Sequence, residues 1–283
     1  MESRVSVVMM TRDRREQTLH ALTRLRALPE QPPIIVVDNG STDGTADAVR
    51  GRFPEVTVLQ PGSNLGAVAR TVGVRAAETP YVAFRDDDSW WAAGALTRAV
   101  EHFDAAPRLS LLAARLLVGP EERLDPVCAE MAASPLPVSS DLPGPSVLGF
   151  LACAAVVRRR AFLQVGGFHP LIFFVGEETV LAQDLASAGW GLSYVDDVVA
   201  HHHPQEGTNR EQRQLVQLRN ALLALWMRRP LPVALARTGR ALLQHRQRRA
   251  VGFVLRRLPA TLPERRRLPA WVEEQMRVLE KQS

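Results

Sequence analysis

Read from the amino terminus, short wholly apolar runs alternate with longer stretches whose apolar positions recur every three or four residues. Residues 5–10 (VSVVMM) predict a strand buried on both faces, 16–28 a helix, and 34–37 (IIVV) a second strand ending in DNGSTDGT. A helix over 45–53 with Asp43 or Thr45 as N-cap, a strand over 56–60, the turn PGSN, a helix over 66–77 and a strand over 81–85 follow. This βαβαβαβ order predicts an α/β fold, a mostly parallel sheet with helices on both faces and ligands beyond the carboxyl ends of its strands.

The pattern then loosens. A helix over 92–105 and a strand over 109–118 lead into residues 119–145, whose six prolines read as a long surface loop. Strand pattern returns over 149–157 and 192–200, with helices over 160–165 and 177–188 around a GGF turn. Beyond His203 the chain reads as helical, over 210–226 and 231–249, then in pieces broken at Pro259, Pro263 and Pro269. These shifts predict a first domain over 1–225 and a basic helical C-terminal extension over 226–283.

Composition excludes several classes. Apolar residues make up 46% and charged residues 23% of 283 positions, which is ordinary for a folded chain and unlike a disordered one. Cys128 and Cys153 are the two cysteines and form no CxxC pair, so the sequence predicts neither a disulfide scaffold nor a thiolate zinc site and fits a reducing cytoplasm. The opening apolar run is too short for a signal peptide, and the longest run, 148–157, falls short of the roughly 18–20 residues of a membrane span. Charge is lopsided. Residues 1–203 hold 18 basic and 24 acidic side chains, whereas 204–283 hold 17 and 6. A basic tail behind an acidic body suits an anionic partner or a solvated helical face.

Two carboxylate sites stand at predicted strand ends. Asp86-Asp87-Asp88 follows YVAFR, and three adjacent carboxylates repel one another unless a cation or basic groups compensate. Asp86 and Asp88 suit one hard divalent ion bridging a diphosphate; a helix beginning at Trp91, with the acidic run at its N-terminus, is the competing structural explanation. Asp38 is placed to accept from a base N–H or a ribose hydroxyl, and the absence of GxGxxG disfavours a nicotinamide-binding fold.

Six segments, in order, resemble glycosyltransferase family 2: VVMMTRDR, IIVVDNGSTDGT, NLGAVARTVGVRAA, AFRDDDSWW, GGFHPLIFFVGEETVLAQDLASAGW and YVDDVVAHHHP, together spanning roughly residues 3–203. The resemblance implies a GT-A, Rossmann-like domain that moves a sugar from a nucleoside-diphosphate sugar to an acceptor hydroxyl, with inversion and with Mn2+ or Mg2+. By position it implies that Thr11, Arg12, Asp38, Asn64, Arg70, Asp86 and Asp87 serve the nucleotide, ribose and pyrophosphate. It further implies that Asp88 binds the metal and that Glu178, with Glu177 as acidic partner, is the general base. His201 takes the family's usual histidine position, and strand alternation would put His203 on the same face, towards the metal, with His202 pointing away. Imidazole there favours Mn2+. Trp90, Trp91 and Trp190 either wall the sugar or acceptor site or pack as core.

The departures from the family pattern are Met10, Thr71, Arg85 and Glu178, none of which removes a charge the chemistry needs. Family habit and the tail arginines Arg228, Arg229, Arg237, Arg240, Arg246, Arg248 and Arg249 among leucines imply a carbohydrate or lipid-linked acceptor. They also imply peripheral contact with an anionic membrane, on the cytoplasmic inner face of the plasma membrane. A nucleotidyltransferase would need a glycine-rich activation loop near the N-terminus that this chain lacks. A non-catalytic module with a nucleic-acid-binding tail would want regularly interleaved aromatics, also lacking, so nucleic acid is disfavoured as a partner.

Overall fold

A computed structural model describes residues 3–204 and 210–282. The chain opens with β1 (Val5–Thr11), α1 (Arg15–Arg26), β2 (Ile34–Asp38), α2 (Thr45–Arg52), β3 (Thr57–Leu59), α3 (Val68–Ala76) and β4 (Tyr81–Arg85). These four strands pair in parallel in the order β3-β2-β1-β4. The apolar runs become strands because both faces are covered: Val7, Val8, Val36, Val37 and Phe84 are all buried. Steps from β1 to β2 to β3 run one way across the sheet, and the return to β4 runs the other. Right-handed crossovers therefore put α1 and α2 on one face and α3 on the opposite face. The reversal opens a crevice where β1 and β4 end, the place such sheets offer to ligands.

The rest of the chain supplies β5 (Ser89–Trp91), α4 (Ala95–Ala105), β6 (Leu109–Val118), β7 (Arg123–Leu124), α5 (Pro126–Ala132), β8 (Ala155–Arg158), α6 (Arg159–Gln164), α7 (Glu177–Ser187) and β9 (Gly191–His202). Helices α8 (Arg210–Arg228), α9 (Leu231–Leu243), α10 (Arg248–Thr261) and α11 (Ala270–Glu280) complete it. The sheet continues β4-β8-β6-β9-β5, with β7 as a hairpin partner of β6. β8 runs antiparallel between β4 and β6, so the sheet is parallel in its first four strands and mixed beyond them.

Four local expectations change. The acidic triad does not precede a helix: Ser89–Trp91 is a strand paired with β9, and α4 starts later, after Gly94 in the left-handed region. The proline-rich stretch contains α5, entered through Asp125, whose carboxylate accepts from Val127 N at 2.8 Å, with Pro126 in the first helical turn. That Asp-Pro pair is a helix start rather than a loop. The strand expected over 149–157 shortens to Ala155–Arg158, preceded by a 3-10 turn over Ala152–Ala154. Finally, α10 runs past Pro259 to Thr261.

The C-terminal helices are seated on the first part of the chain. Leu222, Leu223 and Met227 of α8, Ala234 and Ala241 of α9, and Val251 and Val254 of α10 form a second core with Ile172 and with Val180 of α7. Leu268 and Val272 enter the main core. The boundary expected at residue 225 therefore falls inside α8, a continuous helix.

Candidate active site

The turn after β4 gathers the acidic charge. Asp86 N donates to Ser89 Oγ at 2.9 Å and Ser89 N to the Asp86 carbonyl at 3.2 Å, which folds the triad into a tight reversal between β4 and β5. Its carboxylates then part company. Asp86 accepts from Arg70 Nη2 at 2.7 Å on the α3 side. Asp87 accepts from Arg14 Nη1 at 2.9 Å and, more weakly, from Thr11 Oγ1 at 3.4 Å. Asp88 lies 3.3 Å from His202 Nε2. Separate partners are how three neighbouring carboxylates coexist. Burial, helped by the charges of Asp88 and Asp86, pushes the Asp87 carboxyl up to about 6 against the pull of Arg14. Burial also acts on Asp88, but the hydrogen bond and charge of His202, with Arg14, win and hold it below the usual range.

Arg85 answers the triad from beneath. Its guanidinium is buried and donates to the carbonyls of Ala21, Asp86 and Ser89, so it shapes the turn through backbone contacts rather than through a carboxylate. Burial lowers it to about 10, with the triad's charges opposing the fall, so it remains a cation at neutral pH.

Arg70, fully buried near the start of α3, joins the triad to the helix that carries the two glutamates. Nη2 meets Asp86 and Nη1 meets Glu177 Oε1 at 3.2 Å. Burial disfavours its charge, but Asp86 and Glu177 outweigh that and hold it protonated. Arg70 Nε and Glu177 Oε2 are buried without a hydrogen-bond partner in the structure. Glu177 is itself pushed up by burial, with Arg70 opposing. Glu178 lacks that direct ion pair, and burial together with the Glu177 charge raises it to about 7. A carboxylate poised there can take a proton near neutral pH.

The segment that delivers these glutamates is held from two sides. Val175 and Gly176 both have left-handed backbones, φ 69° and 86°, and for a β-branched residue that conformation costs on the order of 1–3 kcal/mol. Asn220 of α8, itself buried, donates through Nδ2 to the carbonyls of Phe174 and Val175, both at 2.8 Å. On the other side Ala67 N donates to the Phe173 carbonyl at 2.7 Å. A Cβ on Gly66 would stand 2.1 Å from that same oxygen, so only glycine fits.

The remaining expected residues fall as follows. Thr11 and Asp38 are register partners at the ends of β1 and β2, both buried. Thr11 Oγ1 shares a 2.7 Å hydrogen bond with Thr18, and Asp38 accepts from Ser41 N at 2.9 Å. Arg12 is exposed beside Asp13, 3.5 Å away. Asn64 turns its carbonyl onto Gly66 N at 3.0 Å. Thr71 accepts from Phe168 N at 3.0 Å and so ties α3 to the GGF turn. The histidine expectation reverses. His201 and His203 do share a face, but both rings pack against Trp90, and it is His202 that meets Asp88. The alternation is as expected, but the side chain in reach of the Asp88 carboxylate is that of His202. His201 also lies 3.1 Å from Glu122, while His203 lines a cleft of about 380 Å3 with Asp87, Asp88, Trp90 and His20.

Trp91 is core, and Trp90 is engaged by Arg24 as well as by the histidines. Trp190 is partly buried against the main core and donates to Gln164. Arg14 and Asn220 join the site without being expected there, and His202, expected to point away, takes the place expected of His201 and His203 beside Asp88. Arg14 lay in the TRDRR run and His202 in the HHH run, so their neighbourhoods were visible; nothing in the sequence marks Asn220.

A divalent cation is only partly provided for. Among the described residues no three His, Cys, Asp or Glu side chains converge to hold a metal by themselves. Asp86 and Asp87 already bond arginines, whereas Asp88 and His202 form an adjoining oxygen and nitrogen pair. That donor set fits an ion completing its shell with diphosphate oxygens and water.

Comparison with known proteins places this geometry. The model of glycosyl transferase family 2 matches residues 6–166. An N-acetylglucosaminyl-diphospho-decaprenol L-rhamnosyltransferase of Mycobacterium tuberculosis is 29% identical over 224 residues, 67% of this chain and 73% of that one. A pre-mycofactocin glycosyltransferase of the same organism is 33% identical over 207 residues, 70% of this chain but only 43% of that protein. A mannosyltransferase from Pyrobaculum calidifontis, solved with GDP-Man and Mn2+, superposes with a TM-score of 0.63 at 20% identity, covering 93% of this chain and 73% of that one. S. aureus TarS with UDP-GlcNAc gives 0.57 at 18% identity, over 80% of this chain and 66% of that one. At such identities the likeness concerns the fold, which is GT-A. With the family model spanning more than half of the chain, this protein belongs to glycosyl transferase family 2 and is a glycosyltransferase.

Proposed function

We propose that this chain transfers a sugar, with inversion and with a divalent cation, from a nucleoside diphosphate to a hydroxyl of a lipid-linked or cell-envelope carbohydrate acceptor. The observation that carries the reading is Glu178, a carboxylate without its own ion pair, raised to about 7 and one residue from the Glu177–Arg70–Asp86 bridge. In this reading Glu178 takes the proton from the acceptor hydroxyl as that oxygen forms its bond to the anomeric carbon. The bond to the diphosphate breaks, and its electron pair leaves with the diphosphate oxygen. Thr11, Asp38, Arg12 and Asn64 border the nucleotide, Arg70 faces the diphosphate, and Glu177 keeps Arg70 in place. Asp88 and His202 would hold the cation, which when bound neutralises charge on the departing diphosphate.

The acceptor class is supported by the decaprenol-linked acceptor in one relative's name. A peripheral site on the inner face of the plasma membrane is supported by α9 and α10, where Leu235, Leu242, Leu243 and Leu255 are exposed beside Arg240, Arg248, Arg249 and Arg256. No helix of the described residues is long and apolar enough to cross a membrane. The test is thermal unfolding against UDP, GDP and dTDP with and without Mn2+ or Mg2+, followed by transfer assays with the matching sugar donors. Stabilisation by one nucleotide that requires the cation and is lost in Asp88→Asn supports the reading. Equal binding of nucleotide and cation by Asp88→Asn overturns the metal assignment.

A further inference from the structure

Helix α8 reaches the segment that leads into the two glutamates through Asn220. Asn220 lies in the interior of α8, beyond the part of the chain matched by the family model, and is buried. A side-chain amide offers one carbonyl and one NH2 group, and two backbone carbonyls can be met only by the NH2 end. Its two hydrogens go to the carbonyls of Phe174 and Val175, the two residues before Gly176, which caps the helix that opens with Glu177 and Glu178. The orientation is fixed from behind, because Arg219 Nε donates to Asn220 Oδ1 at 3.3 Å.

What Asn220 grips is a backbone that does not hold itself. Val175 sits at φ 69°, a region a β-branched residue leaves unless its surroundings over-determine it. Relaxation of Val175 would swing the first turn of α7 and carry Glu178 with it. The far end of α7 is fastened by the same helix: Arg228 grips Asp184 through Nε and Nη2 at 2.5 and 2.8 Å. Helix α8 therefore holds α7 at both ends, and the strained end is the one that bears the glutamates.

We propose that Asn220 is a positioning residue for the general base: it clamps Val175 in its left-handed conformation and so sets where Glu178 stands, making α8 part of the catalytic unit. The inference rests on the proposed role of Glu178, but the state of the clamp can be read without any transfer assay.

The test compares four proteins: the parent, Asn220→Ala, Val175→Gly and the double variant. Hydrogen exchange is followed in a peptide covering 171–179, and kcat and KM are measured with the donor that the nucleotide screen identifies. Asn220→Ala is expected to speed exchange in 171–179 by about tenfold or more while leaving β4 unchanged. It is expected to lower kcat by about tenfold to a hundredfold with donor KM within about twofold, since misplacing a catalytic group is costly without weakening binding. Glycine accepts positive φ unaided, so Val175→Gly in the alanine background is expected to restore kcat by about threefold or more.

Unchanged exchange over 171–179 in Asn220→Ala overturns the clamp. So does a kcat loss of the same size in the valine and glycine backgrounds, because the two positions would then act independently. If Asn220→Ala does not fold, Asn220→Asp keeps the shape while turning acceptors onto the two carbonyls, and the same four-way comparison is made with it. If the parent transfers no sugar from any donor, the catalytic reading fails, and the exchange measurement still decides the clamp.

Discussion

The parallel half of the sheet and the C-terminal helices use charge in opposite ways. In β1 to β4 the strands carry no charge before their last residue, and charge collects where they stop: Asp38 closes β2, and Arg85 with the triad closes β4. In α8 to α11 charge is spread along the elements, and rotation about the helix decides each residue's role. Arg228 and Arg229 are buried and paired, the first with Asp184 and the second with Glu273 and Glu280. Arg240, Arg248 and Arg249 face outward beside exposed leucines. A strand's end announces a charged residue's function; a helix conceals it until the partners are known.

Four experiments break or sharpen that contrast, taken from the largest expected effect downward. At the strand-end site, Glu178→Gln should lower kcat by about a hundredfold to ten-thousandfold, the usual worth of a general base, while the nucleotide-induced thermal shift persists. Retained turnover would move the base elsewhere. On the helical side, Arg229→Met leaves Glu273 and Glu280 without their shared partner and should cost about 3–5 kcal/mol in urea unfolding, against roughly 0.5 or less for Arg240→Met. Equal losses at the two positions would erase the division between buried and outward arginines. Removing 226–283 would not make this comparison, since it strips Leu268 and Val272 from the main core.

The third concerns pH. Only the ionised Glu178 accepts a proton, so kcat should rise with pH and level off above about 7. Because the folded protein holds that proton more tightly than the unfolded chain, Glu178 lowers stability as pH rises from 4.5 through about 7. Glu178→Gln should therefore raise the melting temperature at pH 8 and leave it unchanged below pH 4. The same shift at both pH values would dismiss the buried-charge explanation. The smallest effect is expected at the surface. Leu242→Ser with Leu243→Ser should weaken binding to vesicles containing anionic lipid by about fivefold to thirtyfold, at about 0.5–1 kcal/mol per partly buried leucine withdrawn from contact, without changing the fold. Unaltered vesicle binding at low salt would leave that face without a membrane role.

These contrasts explain what the sequence disclosed. The succession of strands and helices over 1–85 is legible because the strands are short runs without internal charge and each crossover is a helix of ordinary length. The triad's place after β4 was legible for the same reason, but not its surroundings. Whether Asp88 faces His201 or His202 depends on the register in which β5 pairs with β9, and periodicity alone fixes only that neighbours alternate. Helix α5 is hidden in the sequence because it sits among prolines that elsewhere mark loop, although Asp125-Pro126 supplies a cap and a first turn. Asn220 was illegible in principle: a lone polar residue in a helical stretch declares nothing until the segment it grips has been folded against it.

The contact between Gly66 and Phe173 matters to anyone recombining members of this family. A carbonyl that fills the space of a missing side chain, and bonds the next amide as well, makes the turn over 64–67 and the loop over 169–176 a single cassette. Because Asn220 fastens the other edge of that loop, the cassette has a third member in α8. The 169–176 loop of this chain will keep its shape in another scaffold only when all three travel together.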